Sequence, residues 1–305
     1  MAGPMRSKIL RRSLAEFRRV EEAFGPYRNR RKVAIFGSSR STPEQEEYSL
    51  AESLAARFVQ DGFMLITGAG PGIMAAAQKG AGSENSFGLR ILLPFPNAAN
   101  ETIKDDPKMV EFEYYFTRKL SFARESDAFV VFPGGLGTLD ETLEILTLMQ
   151  TGKMPIVPVL MVERPGGRYW RVWQRFVEQD LVAEGHMAAP ETNLFHVCDG
   201  ADDPVAHVRR FYRVFDSYRW EGDELRIATA RPLTEEALAQ LNQRFAPILQ
   251  RGCIAQQSSG TGHDGGTSPD RASHCLTLVP HRRCYGDLRR LIDAINDAPT
   301  SDELR

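Results

Sequence analysis

Short apolar segments alternate with amphipathic stretches through most of the chain. Lys32–Phe36, Phe63–Thr67 and Ala128–Phe132 are nearly continuous apolar runs, which is typical of strands that are buried on both faces of a parallel sheet. Further strands are predicted at Leu89–Leu93, Glu113–Phe116, Pro155–Met161 and Leu194–Cys198.

Helical spacing of apolar residues marks the stretches between these segments. Leu50, Leu54 and Phe58 lie on one face of a predicted helix at Pro43–Gln60. The same spacing predicts helices at Ile73–Gly80, Thr117–Glu125, Leu139–Thr151 and Tyr169–Leu181. Strands alternating with helices indicate an α/β fold, a Rossmann-like doubly wound parallel sheet.

The pattern divides the chain into three parts. Residues 1–30 form an N-terminal helical extension, packed on the main domain or on a partner subunit, and residues 31–218 form the Rossmann-like domain. Residues 219–305 are predicted to be a small C-terminal α+β appendage, in which a Gly-, Ser- and Thr-rich stretch near 256–273 is mobile. The elements predicted there are strands at Glu224–Ala228 and Cys275–Val279 and helices at Thr234–Gln250 and Tyr285–Asn296.

Charge and cysteine usage narrow the function classes. The 305 residues carry a formal net charge of -2, so there is no broad basic field for nucleic acid. The Arg-rich stretch Arg6–Arg31 is interpreted as a solvated helix face. No apolar run is long enough to span a membrane. Four scattered cysteines and no signal peptide indicate a cytoplasmic protein without a zinc site.

The strongest chemical signal is the turn Pro133–Thr138, which lies between a predicted strand and a predicted helix. Its glycines allow backbone N–H groups to approach an anion, and the helix N-terminus adds partial positive charge. The turn differs from the Walker pattern, because no Gly-Lys-Ser/Thr follows it. A second turn, Gly68–Gly72, lacks the last glycine of the dinucleotide fingerprint, since Ile73 stands there. We therefore expect a phosphate cradle and no nicotinamide or flavin.

Glu141 has two interpretations. Thr138 and Glu141 match the T-x-x-E capping box, which on the motif alone is the favoured interpretation. Alternatively, Glu141 lies roughly 4.5 Å along the helix from Thr138 and faces the sugar of a bound nucleotide. Arg118 is expected near the same rim, where it balances Glu141, contacts the substrate or forms a surface ion pair.

The segment from Pro133 to Glu141 fits the pattern P-G-G-x-G-T-x-x-E, and Arg118-Lys119 lies upstream of it. Together these motifs resemble the signature of the Lonely Guy family, which consists of nucleoside 5'-monophosphate phosphoribohydrolases that are often labelled lysine decarboxylases. The resemblance covers about Lys32 to Tyr218 and is greatest with the longer branch of the family.

The resemblance implies hydrolysis of the N-glycosidic bond of a nucleoside 5'-monophosphate to a free base and ribose 5-phosphate. Adenine is the favoured base, as in AMP or a cytokinin riboside monophosphate. The resemblance makes Arg118 and Glu141 the catalytic pair. It also implies a homodimer or higher homo-oligomer and no metal or organic cofactor. The substrate-binding residues that it implies are Gly134, Gly135, Gly137, Thr138, Gly70, Ser39, Lys119 and Glu101.

Two alternatives remain open at this point. A non-catalytic nucleotide-binding protein or molybdenum-cofactor carrier on the same fold needs the phosphate loop but not the Arg118 and Glu141 pair. An amino-acid decarboxylase needs a lysine that forms a Schiff base with pyridoxal phosphate. Lys79 and Lys119 are candidates for such a lysine by elimination alone.

Overall fold

The computed structural model describes residues 3–199, 202–258 and 274–301. They divide into two compact units. The first comprises residues 1–145, 157–176 and 196–205, and the second comprises residues 146–156, 177–195 and 206–305. Of the helices within these described ranges, none combines the length and the apolar character that crossing a bilayer requires.

A seven-stranded parallel sheet is the centre of the first unit. Its strands are β1 (Lys32–Phe36), β2 (Met64–Thr67), β3 (Ser86–Ile91), β4 (Met109–Phe112), β5 (Ala128–Val131), β6 (Val159–Met161) and β7 (His196–Val197). They lie in the order β4-β3-β2-β1-β5-β6-β7. The strand order reverses between β1 and β5, which pair in register from Val33–Ala128 to Phe36–Val131. The predicted doubly wound parallel sheet is thus confirmed.

Helices flank this sheet. They are α1 (Gly3–Phe24), α2 (Glu46–Gln60), α3 (Ile73–Ala81), α4 (Tyr115–Glu125), α5 (Leu136–Gln150) and α6 (Tyr169–Phe176), the last continued by a π-helical turn at Val177–Val182. Helix α1 packs on the first unit, where the Phe24 ring stacks on Phe87 with centroids 4.0 Å apart. Of the two placements predicted for the N-terminal helix, the structure therefore shows the one on the main domain.

The strand predicted at Glu113–Phe116 is wrong. Strand β4 ends at Phe112, and Tyr115 and Phe116 already belong to α4. The buried carboxylate of Glu16 in α1 accepts hydrogen bonds from the Glu113 N–H at 2.7 Å and from the Thr117 hydroxyl. A carboxylate from a distant part of the chain therefore stabilises the start of α4, although aromatic residues favour strands locally.

The second unit contains a four-stranded antiparallel sheet in the order β10-β11-β9-β8. The strands are β8 (Phe215–Glu221), β9 (Glu224–Thr229), β10 (Leu249–Ser258) and β11 (His274–Pro280), and the helices are α7 (Pro204–Phe211), α8 (Glu235–Phe245) and α9 (Tyr285–Asp297). The region predicted as a small α+β appendage, residues 219–305, contains β9, β10, β11, α8 and α9. Helix α7 lies before it, and the predicted boundary between residues 218 and 219 falls inside β8. The helix predicted to reach Gln250 instead ends at Phe245. From residue 259 to 273, the stretch predicted to be mobile lies outside the described residues.

Candidate functional site

Three glycine-bearing loops meet at the carboxyl edge of the parallel sheet. They follow β1, β2 and β5, which are neighbours in the sheet. Ser38, after β1, links the other two loops: its N–H donates to Pro133 O at 3.1 Å, and its carbonyl accepts from the Ile73 N–H at 3.0 Å. In open α/β sheets, ligands bind in the crevice where the strand order reverses. The loops therefore meet where this fold offers a binding site.

Two of these loops require glycine for close packing. A Cβ on Gly134 would lie 2.2 Å from Thr138 Oγ1. Gly72 has φ +70°, and a Cβ there would lie 2.2 Å from Ser38 O. In contrast, a Cβ at Gly135 or Gly137 would meet nothing within 4 Å. The first two glycines therefore pack the rim, while the other two leave open space at its surface.

The turn after β5 presents unpaired backbone donors. Helix α5 begins at Leu136, and Thr138 and Leu139 donate back to Gly135 O. Among the described residues, no carbonyl accepts from the N–H of Gly135, Leu136 or Gly137. Free amides at a helix N-terminus favour an anion. The turn therefore presents the free amides that the predicted phosphate cradle requires.

Thr138 and Glu141 do not form the capping box. Because α5 already begins at Leu136, Thr138 lies within the first turn and is not the residue that precedes the helix. The Glu141 side chain is thus available for another role.

The carboxylate of Glu141 faces the guanidinium of Arg118. Arg118 Nη1 lies 3.9 Å from Glu141 Oε1, and both side chains are largely buried. Arg118 Nε donates to Leu89 O at 2.9 Å, which fixes the guanidinium below the loop after β2. A Cβ on Gly68 would lie 2.4 Å from Arg118 Nη2, so this loop passes directly over the guanidinium.

Burial controls the protonation of this pair. It raises the pKa of Glu141 to about 7, although the nearby charges of Arg118 and Lys119 act in the opposite direction. Burial also lowers the pKa of the Arg118 guanidinium, against the effect of Glu141. A carboxyl group that titrates near neutral pH can both take and give a proton during a reaction.

Lys119 of α4 is held by two carboxylates of α5. Its Nζ lies 2.8 Å from Asp140 Oδ2 and 2.5 Å from Glu144 Oε2, so it joins α4 to α5. Burial acts to lower the pKa of Lys119, but the hydrogen bonds to these two carboxylates outweigh it and raise the pKa. A raised pKa is the opposite of what a Schiff-base lysine needs.

A cavity of about 630 Å³ lies above the three loops. Of the predicted site residues, Ser39, Arg118, Gly135, Gly137, Thr138 and Glu141 line it. Gly134, Gly70, Lys119 and Glu101 are not among its lining residues. The Gly70 carbonyl accepts from Asn100 Nδ2 at 3.0 Å, while the Glu101 side chain is 90% exposed and lies 3.9 Å from Lys104.

Sequence reasoning missed several residues that line this cavity. They are Phe36, Gly37, Ser38, Arg40, Gly68, Met74, Tyr115, Leu136 and Asp140. Arg40 follows the turn after β1, so its position on the same rim as Pro133–Thr138 was a usable signal. Tyr115 had no such signal, because the segment containing it was predicted to be a strand.

Two other features lie apart from this cavity. A cavity of about 820 Å³ between α1 and the 98–111 segment is lined by side chains of both charge signs. At the end of β7, ligand atoms of His196, Cys198 and Asp202 lie within 4.8 Å of one another. Burial raises the pKa of the Cys198 thiol to about 12, so the thiol stays protonated at neutral pH.

A parallel sheet with its glycine-lined cavity at the point of strand reversal defines a Rossmann-like α/β protein. Within that class, the family model described as "Possible lysine decarboxylase" matches residues 72–208. "Probable cytokinin riboside 5'-monophosphate phosphoribohydrolase LOGL3" from Oryza sativa subsp. japonica is 28% identical over 203 residues, 64% of this chain and 93% of that protein. "Cytokinin riboside 5'-monophosphate phosphoribohydrolase LOG7" from Arabidopsis thaliana is 26% identical over 191 residues, 61% of this chain and 84% of that protein. The resemblance to the Lonely Guy family is therefore confirmed.

Solved structures also match at low identity. The Moco carrier protein from Chlamydomonas reinhardtii is 19% identical with a TM-score of 0.39, over 59% of this chain and 96% of that chain. The molybdenum cofactor binding protein from Rippkaea orientalis is 18% identical with a TM-score of 0.39, over 56% of this chain and 90% of that chain.

Proposed function

We propose that this protein hydrolyses the N-glycosidic bond of a nucleoside 5'-monophosphate and releases the free base and ribose 5-phosphate. The observation that carries the proposal is the position of Glu141. This buried carboxyl group lines the same cavity as the unpaired amides of Gly135 and Gly137, beside Arg118. The names of the Lonely Guy relatives support the same reaction.

The phosphate cradle positions the substrate. In our proposal, the amides of Gly135, Leu136 and Gly137 and the hydroxyl of Thr138 bind the 5'-phosphate. Arg40 lines the cavity and adds positive charge. Glu141 lies one helical turn beyond Thr138, roughly 4.5 Å along the axis, which is within reach of the ribose. Binding energy from the phosphate thus places the glycosidic bond against the carboxylate.

Glu141 performs the proton transfer in this scheme. Breaking the bond between C1' and the base nitrogen builds positive charge on the ribose, as in other glycoside hydrolyses. The ionised carboxylate stabilises that charge and takes a proton from the attacking water, whose oxygen forms the new bond to C1'. The base nitrogen takes up the bond electrons and receives the proton that Glu141 took from water, which leaves Glu141 ionised again.

Arg118 orients Glu141 and contacts the phosphate or the departing base. Its guanidinium presents a planar fork of N–H donors, and its hydrogen bond to Leu89 O holds it below the cavity. A purine is the base that we favour, with AMP or a cytokinin riboside monophosphate as the substrate.

We also propose that the protein is a homodimer in the cytoplasm. Phe116 and Leu120 of α4 and Leu136 and Leu143 of α5 are exposed apolar side chains, and we call them the α4–α5 face. Lys119 joins the two helices beside these residues. Grouped apolar side chains on a surface favour association with a partner, and four free cysteines suit a reducing compartment.

Incubation of the purified protein with AMP, followed by chromatographic detection of adenine and ribose 5-phosphate, tests the activity. We expect Glu141→Gln to retain AMP binding and to lower kcat by about 100-fold or more, since general acid–base groups contribute at least that factor. Glu144→Gln is the matched control, because Glu144 lies outside the cavity. Wild-type protein that binds AMP but never releases adenine would instead be a carrier or a sensor. Absorbance from a bound Schiff base would indicate the decarboxylase.

A further inference from the structure

Tyr169, the first residue of α6, reaches the phosphate turn from outside the cavity. Its hydroxyl donates to Gly134 O at 2.8 Å. The start of α6 is itself fixed, because the Glu163 carboxylate accepts from the N–H of Tyr169 at 2.8 Å and of Trp170 at 3.2 Å. A rigid helix start thus holds the phenol against one carbonyl of the turn.

The orientation of that carbonyl determines where the next amide points. Among the described residues there are no cis peptide bonds, and in a trans peptide the C=O and the following N–H point in opposite directions. When Tyr169 holds Gly134 O, the N–H of Gly135 is turned to the other side of the peptide. Gly135 lines the cavity, whereas Gly134 does not. The N–H of Gly135 is also one of the amides with no carbonyl partner in the described ranges.

We propose that Tyr169 is a positioning residue that aims the Gly135 N–H at the phosphate of the substrate. Glycine allows this peptide to rotate easily, and neither glycine has a side chain that would hold it. The phenol supplies the restraint, so the donor is oriented before the anion arrives. This inference rests on the proposed function for the identity of the anion, which is the 5'-phosphate of a nucleotide.

Tyr169→Phe tests the inference, because it keeps the ring and removes the hydroxyl. We expect the dissociation constant for AMP, measured by calorimetry in the Glu141→Gln background so that AMP is not hydrolysed, to rise about five-fold, the factor that corresponds to one neutral hydrogen bond. Adenosine, which has no phosphate, should bind the variant and the wild type equally well. In turnover, KM for AMP should rise with kcat nearly unchanged, because the phosphate contact is made in both the ground state and the transition state.

Tyr218→Phe is the matched control, since the Tyr218 hydroxyl also bonds a backbone group, the Ile156 N–H at 3.2 Å, away from the cavity. It should leave the affinity for AMP unchanged. Unchanged AMP affinity in Tyr169→Phe would overturn the inference, and so would an equal loss for AMP and adenosine, which marks a general structural role. The binding measurements do not depend on turnover. If wild type releases no base, they still decide the role of Tyr169, and the proposed function alone fails.

Discussion

Two opposing effects meet at the carboxyl group of Glu141. Its burial disfavours the charged form, and Arg118, 3.9 Å away, favours it. Burial prevails, because the pKa lies above its ordinary value of 4.5. A separation of 3.9 Å is longer than a hydrogen bond, so Arg118 compensates the lost hydration incompletely. The residue is therefore prepared to exchange protons at neutral pH.

This pKa predicts the pH dependence of the reaction. If Glu141 acts as the base, it must be ionised in the free enzyme, so kcat/KM for AMP should rise with pH and reach half of its plateau at about 7. The phosphate group itself titrates near pH 6, so AMP binding to Glu141→Gln, measured over the same pH range, gives the substrate's own contribution. A rate profile that is flat from pH 6 to 8 would contradict the assignment.

The stability of the fold provides an independent check on the same pKa. The folded carboxyl group keeps its proton to a higher pH than the unfolded one, so ionisation opposes folding between pH 4.5 and about 7. Relative to Glu141→Gln, the free energy of unfolding of wild type should fall across that interval by about 3 kcal/mol. Denaturant titrations at pH 4.5 and pH 8 measure this difference. An equal difference at both pH values would mean that the pKa is ordinary.

At the scale of the loop and helix, the turn after β5 uses its glycines for two purposes. Gly134 provides room for Thr138 and Ser38, whereas Gly135 leaves space in front of the unpaired amides. The same residue type therefore serves packing at one position and, in our proposal, phosphate binding at the next.

Alanine substitutions should separate these two purposes. Gly134→Ala places a Cβ 2.2 Å from Thr138 Oγ1 and should destabilise the fold by about 2 kcal/mol, as is usual for overpacking. Gly135→Ala meets no atom of the protein, so the melting temperature should stay unchanged while the affinity for AMP falls about ten-fold or more. Thermal unfolding and calorimetry measure the two effects. Gly25→Ala, also in open space, is the control. Unchanged AMP affinity in Gly135→Ala would contradict the cradle.

A comparison of α5 with α4 shows which parts of the structure can be predicted from the sequence. The strand, glycine-rich turn and helix around Pro133–Thr138 were predictable, because the signals of strand, turn and helix are local and agree. The start of α4 was not, because it depends on Glu16, almost a hundred residues earlier in the chain. The contact of Tyr169 with Gly134 O was not predictable either, because the two residues are 35 positions apart in the chain. The sequence motifs therefore predict the local elements of the site. The remaining parts depend on contacts between residues that are far apart in the chain, and a sequence pattern does not show these contacts.

At the scale of the whole molecule, the strand order explains why distant motifs form one site. Strands β2, β1 and β5 are adjacent in the sheet, although β5 follows β2 by about sixty residues in the chain. All strands of this sheet are parallel, so the loops at their carboxyl ends share one edge. The cavity belongs to the first unit, because its lining residues all lie between Phe36 and Glu141.

The α4–α5 face connects this cavity to the proposed homodimer. Leu136 belongs to the α4–α5 face, lines the cavity and is 86% exposed. A partner subunit that covers the face would remove this side chain from water and border the cavity. Dimerisation would therefore also affect substrate binding.

A charged residue on this face should separate the subunits. We expect wild type to be a dimer in light-scattering chromatography and Leu120→Glu to be a monomer, because the interface would have to bury an unpaired carboxylate. Val172→Glu, at an equally exposed apolar position on α6, should remain a dimer. The monomeric variant should keep its fold by circular dichroism, and its KM for AMP should rise because the cavity loses its border. A wild type that is monomeric at tens of micromolar, or a dimeric Leu120→Glu, would show that the exposed leucines serve another partner.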